Sequence, residues 1–298
     1  MSETLTADAV TASNITAPTR FVETKGATYA YRRFGTGSGR PLLCLQHFTG
    51  TLDNWDPAVT DPLALGRDVI LFDSAGVGRS TGTVPETIGA MATHAFAFLD
   101  GLGVNSCDVL GYSLGGMVAQ QMAQDRPSIF RRLLLVGTAP RGGEDIMHLE
   151  KPSLAQYFND PTLQGLARLQ KIFFAPTASS QTAGAAFIER LALRKTDREP
   201  PSGPAVAKAQ LAAFRDWERS TGARFAELGV IRQPTLVVNG IHDEMIPVRN
   251  SYWLSENLPN AVLLTYPDSG HGSLFQFHES FTRHAAAFLG SDSPFAPY

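Results

Sequence analysis

The apolar positions of the chain fall into two rhythms. Short continuous runs at 41–46, 68–72, 106–111 and 132–136 alternate with segments long enough for helices. Continuous runs predict strands buried on both faces, and their alternation with helices predicts a parallel sheet covered on both sides. The clearest helix is predicted over 85–102, where Ile88, Met91, Ala95, Phe98, Leu99 and Leu102 keep one face apolar between Pro85 at the start and Gly103 past the end. A second runs from Leu114 until Pro127 stops it. Ahead of this alternation, aromatic and β-branched stretches at 20–24 and 28–34, separated by Lys25-Gly26, predict a hairpin.

Between about 138 and 204 the rhythm breaks. Leu163, Leu166, Leu169, Ile172 and Phe173 recur at helical spacing, which predicts a helical insertion lying over the sheet as a cap. Strand signals return at 235–239 and 261–265, and a last helix is expected over 274–289 before a proline-containing tail at 291–298. The expected organisation is one α/β core made of 18–137 and 205–290, a cap at 138–204, and an N-terminal extension at 1–17 whose Thr/Ala/Ser-rich composition reads as flexible.

Composition narrows the ligand. At 298 residues one elaborated domain accounts for the whole chain, and 43% hydrophobic with 18% charged residues is ordinary for a globular protein. A net charge of -3 without a Lys/Arg run gives no electrostatic case for nucleic acid or an anionic membrane as partner. A small neutral or weakly charged molecule is the expected ligand. No run reaches the roughly 18 apolar residues that a membrane span needs, and the N-terminus lacks the apolar core of a secretory signal. The expected location is cytoplasmic, with Asn14-Ile15-Thr16 an incidental sequon and Cys44 and Cys107 buried thiols in strands. Oligomeric state leaves no readable mark.

The strongest chemical signal is Gly111-Tyr112-Ser113-Leu114-Gly115, which fits G-x-S-x-G with a strand before it and a helix after it. So sharp a turn needs small residues on either side of the nucleophile, and Gly111 and Gly115 supply them. The helix starting at Leu114 aims its first N–H groups at the reaction centre, so the Leu114 N–H is the expected first oxyanion donor. A serine needs a base, and the base a partner that fixes its tautomer. His271, in the glycine-flanked loop Asp268-Ser269-Gly270-His271-Gly272, is the expected base. Asp243, just past a strand in Asn239-Gly240-Ile241-His242-Asp243, is the expected acid. The neighbour His242 reads as a loop residue, Glu244 is an alternative acid by a one-residue shift although the pattern favours Asp243, and His94 reads as a solvated residue on the polar side of its helix. His278-Glu279 lacks the second histidine of H-E-x-x-H, and the glycine-rich stretches 35–39 and 76–78 complete neither a dinucleotide nor a P-loop motif. No metal or cofactor is expected.

With these motifs the chain resembles the α/β-hydrolase superfamily over roughly 20–289, and within it the cap-bearing branch of esterases and cofactor-free haloperoxidases. Asp73-Ser74-Ala75-Gly76-Val77-Gly78-Arg79-Ser80 is similar to the family's D-x-x-G-x-G-x-S turn, and Asp53-Asn54-Trp55 follows the oxyanion loop as it often does there. The resemblance implies a mostly parallel sheet of about eight strands with its site at their carboxyl ends, and the chain order nucleophile, acid, base. Where the family usually has His-Gly-x, this chain reads Gln46-His47-Phe48-Thr49-Gly50. Aligned through Gly50, Phe48 takes the position of the second oxyanion donor, and His47 replaces a glycine, either as filler or as a substrate contact. Tyr112, Phe158 and Phe173 are the other expected substrate contacts; the apolar residues of the insertion serve equally to pack it on the core. The implied reaction is hydrolysis of a small, largely apolar ester or lactone through an acyl-enzyme. Perhydrolysis, C–C bond hydrolysis and a non-catalytic binding role stand as alternatives.

Overall fold

The computed structural model describes residues 13–37, 39–292 and 295. Eight strands form one sheet: β1 (Arg20–Glu23), β2 (Thr28–Gly35), β3 (Leu42–Leu45), β4 (Asp68–Phe72), β5 (Cys107–Tyr112), β6 (Phe130–Val136), β7 (Thr235–Gly240) and β8 (Ala261–Tyr266). Their spatial order is β1-β2-β4-β3-β5-β6-β7-β8. β1, β2 and β4 pair antiparallel, and every pair from β4 through β3 to β8 is parallel. Every residue of β3, β5 and β7 is buried, which accounts for the continuous apolar runs. The chain leaves β3 towards β4 and leaves β5 towards β6, in opposite directions, so a crevice opens between the carboxyl ends of β3 and β5.

Ten α-helices are present among the described residues: α1 (Pro57–Leu63), α2 (Ile88–Gly101), α3 (Leu114–Asp125), α4 (Pro152–Phe158), α5 (Gly165–Phe173), α6 (Ala178–Leu191), α7 (Pro204–Trp217), α8 (Arg249–Asn257), α9 (Ser273–Gln276) and α10 (His278–Gly290). None is long and apolar enough to cross a membrane. α2 starts later than Pro85 because Thr87, in extended conformation, caps it by accepting the Ala90 N–H at 3.3 Å. The last helix is two: Phe277, at φ -106° and ψ 37°, breaks it into α9 and α10. α4 to α7 all lie in the connection from β6 to β7, where the strand rhythm is interrupted.

The expectation of a flexible extension through Ala17 fails for its last part, since residues 13–17 are docked, while 1–12 lie outside the described residues. Asn14 is buried, donating its amide Nδ2 to Trp55 O at 2.8 Å and Thr60 Oγ1 at 3.1 Å, and Arg194 donates to the carbonyls of Asn14 and Ile15. Polar composition predicted mobility; a carboxamide satisfied on several sides holds the segment instead. Of the tail, 293–294 and 296–298 lie outside the described residues. His94 is half-buried rather than solvated, its Nδ1 sharing a hydrogen bond with the Tyr29 hydroxyl at 2.6 Å. Cys44 and Cys107 are buried and unpaired.

Candidate active site

At the edge of the sheet the chain folds back on itself. β5 delivers Tyr112, Ser113 takes φ 57° and ψ -119°, and α3 begins at Leu114. Positive φ in a non-glycine residue costs on the order of 1–3 kcal/mol and persists only where the surroundings enforce it. Here the Ser113 N–H donates to Val136 O at 2.8 Å and its carbonyl accepts the Gly116 N–H at 2.9 Å. A methyl group on Gly111 would collide with the Gly115 carbonyl, and one on Gly115 with the Leu45 carbonyl. As the first residue of α3, Leu114 has an N–H with no earlier turn to bond to, at the positive end of the helix dipole.

Asp243 sits in the turn after β7 with its two oxygens divided between tasks. Oδ1 accepts the N–H groups of Met245 and Ile246, both at 2.9 Å, and Oδ2 accepts Nδ1 of His271 at 2.7 Å. The backbone donors fix the carboxylate, and the carboxylate fixes the imidazole. Because a carboxylate only accepts, Nδ1 carries the proton and Nε2 the lone pair. The His271 loop is braced from below by Tyr112, whose hydroxyl donates to His271 O at 3.1 Å and whose ring centroid lies 5.1 Å from the imidazole's. Gly137, at φ 53°, lies against the same imidazole, and a Cβ there would come within 3.2 Å of its Cε1. Ser113 and His271 are both fully buried, and neither Ser113 Oγ nor His271 Nε2 has a hydrogen-bond partner among the described residues. One link of the expected relay is thus closed and the other open, as catalytic hydrogen bonds often are before substrate arrives.

The opposite wall is the loop after β3. Gln46 folds its carboxamide over this loop, accepting the His47 N–H at 2.9 Å and donating to Thr51 O at 3.1 Å. Thr49, at φ 57°, donates its N–H to Gln210 Oε1 on α7 at 2.6 Å, and the Gly50 N–H reaches His47 O at 3.0 Å. Of the four successive amides from 47 to 50, only that of Phe48 is left without an acceptor among the described residues. Sequence reasoning missed Gln46 and Gln210. Gln46 stood in the motif window without a stated role, and Gln210 lies far along the chain with no local signal.

The insertion closes over this site. Phe173, at the end of α5, places its ring 5.1 Å from that of His47 and 5.3 Å from that of His271, and its carbonyl accepts the Gly272 N–H at 2.7 Å. Behind it Phe187 and Phe275 stack at 4.5 Å. Of the four expected substrate contacts, His47, Tyr112 and Phe173 converge around His271. Phe158 does not join them; it lies on α4 under the guanidinium of Arg168. Tyr112 stands beneath the imidazole as a brace. His242 is exposed, and Glu244 Oε2 accepts the Ser153 hydroxyl at 2.9 Å, so both stay outside the Asp243–His271 pair. Among the described residues no group of three or more His, Cys, Asp or Glu side chains is gathered as a metal would require.

A cleft of about 540 Å³ leads outward from His47 past Thr49, Leu166 and Leu169 to Arg198 and Glu199. Its rim is an ion network. Arg32 Nη2 donates to Asp53 Oδ1 at 2.7 Å, and Asp53 Oδ2 accepts from Arg198 Nε at 3.1 Å and the Glu199 N–H at 2.9 Å. Glu199 also takes three donors from Arg79. Beside Glu199 lies Asp73, buried, with Oδ1 accepting the Leu52 N–H at 2.8 Å and Oδ2 given no donor. Burial first, and the Glu199 charge second, push the Asp73 carboxyl well above the usual carboxylate range.

The sheet order and the sharp turn at Ser113 define a hydrolase fold. The chain belongs to the alpha/beta hydrolase fold family, whose profile matches residues 40–277. It is similar to the structure of an alpha/beta hydrolase fold protein from Chitinophaga pinensis, with 41% identity, a TM-score of 0.88, and coverage of 94% of this chain and 100% of that one. Among curated relatives, a protein named carbamate hydrolase RutD from Caulobacter sp. (strain K31) is 28% identical over 80% of this chain and 86% of its own length. Pimeloyl-[acyl-carrier protein] methyl ester esterase from Nitrosomonas europaea is 26% identical over 83% of this chain and 94% of its own length.

Proposed function

We propose that the protein is a serine hydrolase that cleaves a small carboxylic ester or lactone through an acyl-enzyme, with Ser113 as nucleophile, His271 as base and Asp243 as the group that orients it. The observation that carries this reading is the Asp243–His271 hydrogen bond of 2.7 Å, which puts the proton on Nδ1 and leaves a basic Nε2 buried and unpaired, as the Ser113 hydroxyl also is. In the reaction His271 Nε2 takes the Ser113 proton as Oγ attacks the carbonyl carbon. The N–H groups of Leu114 and Phe48 receive the developing oxyanion, each worth roughly 3 kcal/mol in the transition state. The imidazolium then protonates the leaving alcohol, and water, deprotonated by the same Nε2, releases the acid. The helices from α4 to α6 act as the cap that shelters the acyl group. The methyl ester esterase and the protein named as a carbamate hydrolase among the relatives support acyl chemistry at a carbonyl.

The test is turnover of p-nitrophenyl acetate and butyrate by wild type and Ser113→Ala, with mass-spectrometric mapping of a fluorophosphonate adduct. The expected result is a single adduct on the Ser113 peptide and a fall in kcat of about 10⁴-fold or more in the variant, with unchanged circular dichroism. Full activity in Ser113→Ala, or labelling elsewhere, overturns the assignment.

A further inference from the structure

Three buried polar atoms around the crevice have no hydrogen-bond partner among the described residues: Ser113 Oγ, His271 Nε2 and His47 Nε2. Their protons can be counted. His271 Nδ1 faces a carboxylate, so its Nε2 holds a lone pair. His47 Nδ1 lies 2.8 Å from the Phe48 carbonyl, which also only accepts, so Nδ1 carries that ring's proton. Burial pushes the His47 imidazole down to about 3, so the ring is neutral and its Nε2 holds a lone pair as well. The Ser113 hydroxyl supplies one proton. Two imidazole lone pairs are therefore unmatched, and the proposed mechanism commits the Ser113 hydroxyl to His271 and the free N–H groups of Phe48 and Leu114 to the oxyanion. None of these groups answers His47 Nε2, and a buried acceptor left unmatched is costly.

We infer that His47 Nε2 is the acceptor for a donor carried by the substrate, and that the acyl group bears a hydroxyl or an amide N–H on the carbon next to the scissile carbonyl. The position follows from the chain. His47 immediately precedes Phe48, the residue with the free amide, and its ring packs against Tyr112, which immediately precedes Ser113. A group reaching Nε2 is therefore close to the reacting carbonyl. The ring is fixed for this task by the Phe48 carbonyl on one edge and by Phe173, 5.1 Å away, packed edge to face against it. His47 also borders the cleft of about 540 Å³, which places a side chain of the proposed site at the end of a space large enough for a small substrate. The inference rests on the serine hydrolase reading and names the substrate class for it.

The experiment compares matched p-nitrophenyl esters. Glycolate against methoxyacetate exchanges O–H for O–CH3, and N-acetylglycinate against N-acetylsarcosinate exchanges N–H for N–CH3, with little change in carbonyl reactivity. Wild type is expected to favour one or both donor esters by about tenfold or more in kcat/KM, and which pair responds identifies the hydroxyl or the amide as the donor. In His47→Asn, whose Nδ2 still donates to the Phe48 carbonyl while the distal acceptor is gone, the preference is expected to collapse towards one. His47→Gln, which returns an acceptor oxygen at the distal position, is expected to restore part of it. A wild type indifferent to both pairs, or a preference that survives in His47→Asn, overturns the inference. Should the position 47 variants fail to fold, nitrogen NMR of the wild-type imidazoles decides: glycolamide must shift the His47 Nε2 resonance and methoxyacetamide must not, and equal responses overturn it. Equilibrium titration of Ser113→Ala with the same esters separates the two readings. A donor preference there, with turnover surviving in Ser113→Ala, would leave His47 standing and sink the nucleophile.

Discussion

At Asp243 the proposed chemistry turns on single atoms. With Oδ1 held by two backbone N–H groups, only Oδ2 is free to face His271. Asp243→Asn keeps the shape but turns an NH2 group towards Nδ1, so the imidazole must move its proton to Nε2, where it no longer serves as a base. The expected outcome is a loss of about 10⁴-fold in kcat on the ester used for Ser113→Ala, with a melting temperature close to wild type. Ser113, Asp243 and His271 stood out in the sequence because each sits in a local pattern of strand end, glycine and loop, and the structure pairs the last two directly. Gln210 was not, because its role depends on a bond to Thr49 that spans 161 positions. Nor was Gly137, which packs closely against an imidazole from a loop far along the chain.

Among the elements, α5 decides access. Its last residue sets a ring against both His47 and His271 and accepts the Gly272 N–H, so it walls the site on the side of the insertion. Phe173→Ala is expected to lose about 3–5 kcal/mol of stability, as for a fully buried aromatic, and to raise kcat/KM for p-nitrophenyl octanoate relative to acetate. Urea denaturation and the two-ester rate ratio measure these; a ratio that stays fixed would show the ring to be packing alone. Element existence was legible from periodicity, whereas element ends were not. Pro85 resembled a helix start, yet the capping hydroxyl of Thr87 chose a later one, and the bend at Phe277 left no gap in the apolar pattern.

Across the whole molecule, the ion network at the cleft joins β2 and the loops carrying Asp53, Asp73 and Arg79 to the far end of the insertion at Arg198 and Glu199. Asp73 gives it a pH dependence of definite sign. Its folded titration lies above the ordinary value of 3.8, so the folded chain keeps a proton that the unfolded chain has released. Stability is therefore lost as pH rises through that window, by about 1.4 kcal/mol per pH unit at most. In Asp73→Asn the amide oxygen still accepts the Leu52 N–H and the side chain has no proton to lose. Melting curves from pH 4 to 9 are expected to show the variant gaining on wild type as pH rises, and parallel curves would exclude a raised Asp73 titration. Asp53, Asp73 and Arg79 stood in motifs visible in the sequence, but their pairing with Arg32, Arg198 and Glu199 was not, since these partners are scattered from the first strand pair to the end of the insertion. The docking of residues 13–17 escaped notice for the same reason, and it bears on how the protein should be produced. Asn14 stands in an acceptor tripeptide for oligosaccharyltransferase, and its amide nitrogen is committed to Trp55 and Thr60 inside the fold. A eukaryotic secretory host would attach a glycan to that nitrogen on the nascent chain, before these partners assemble, and the sugar would then bar the segment from its seat.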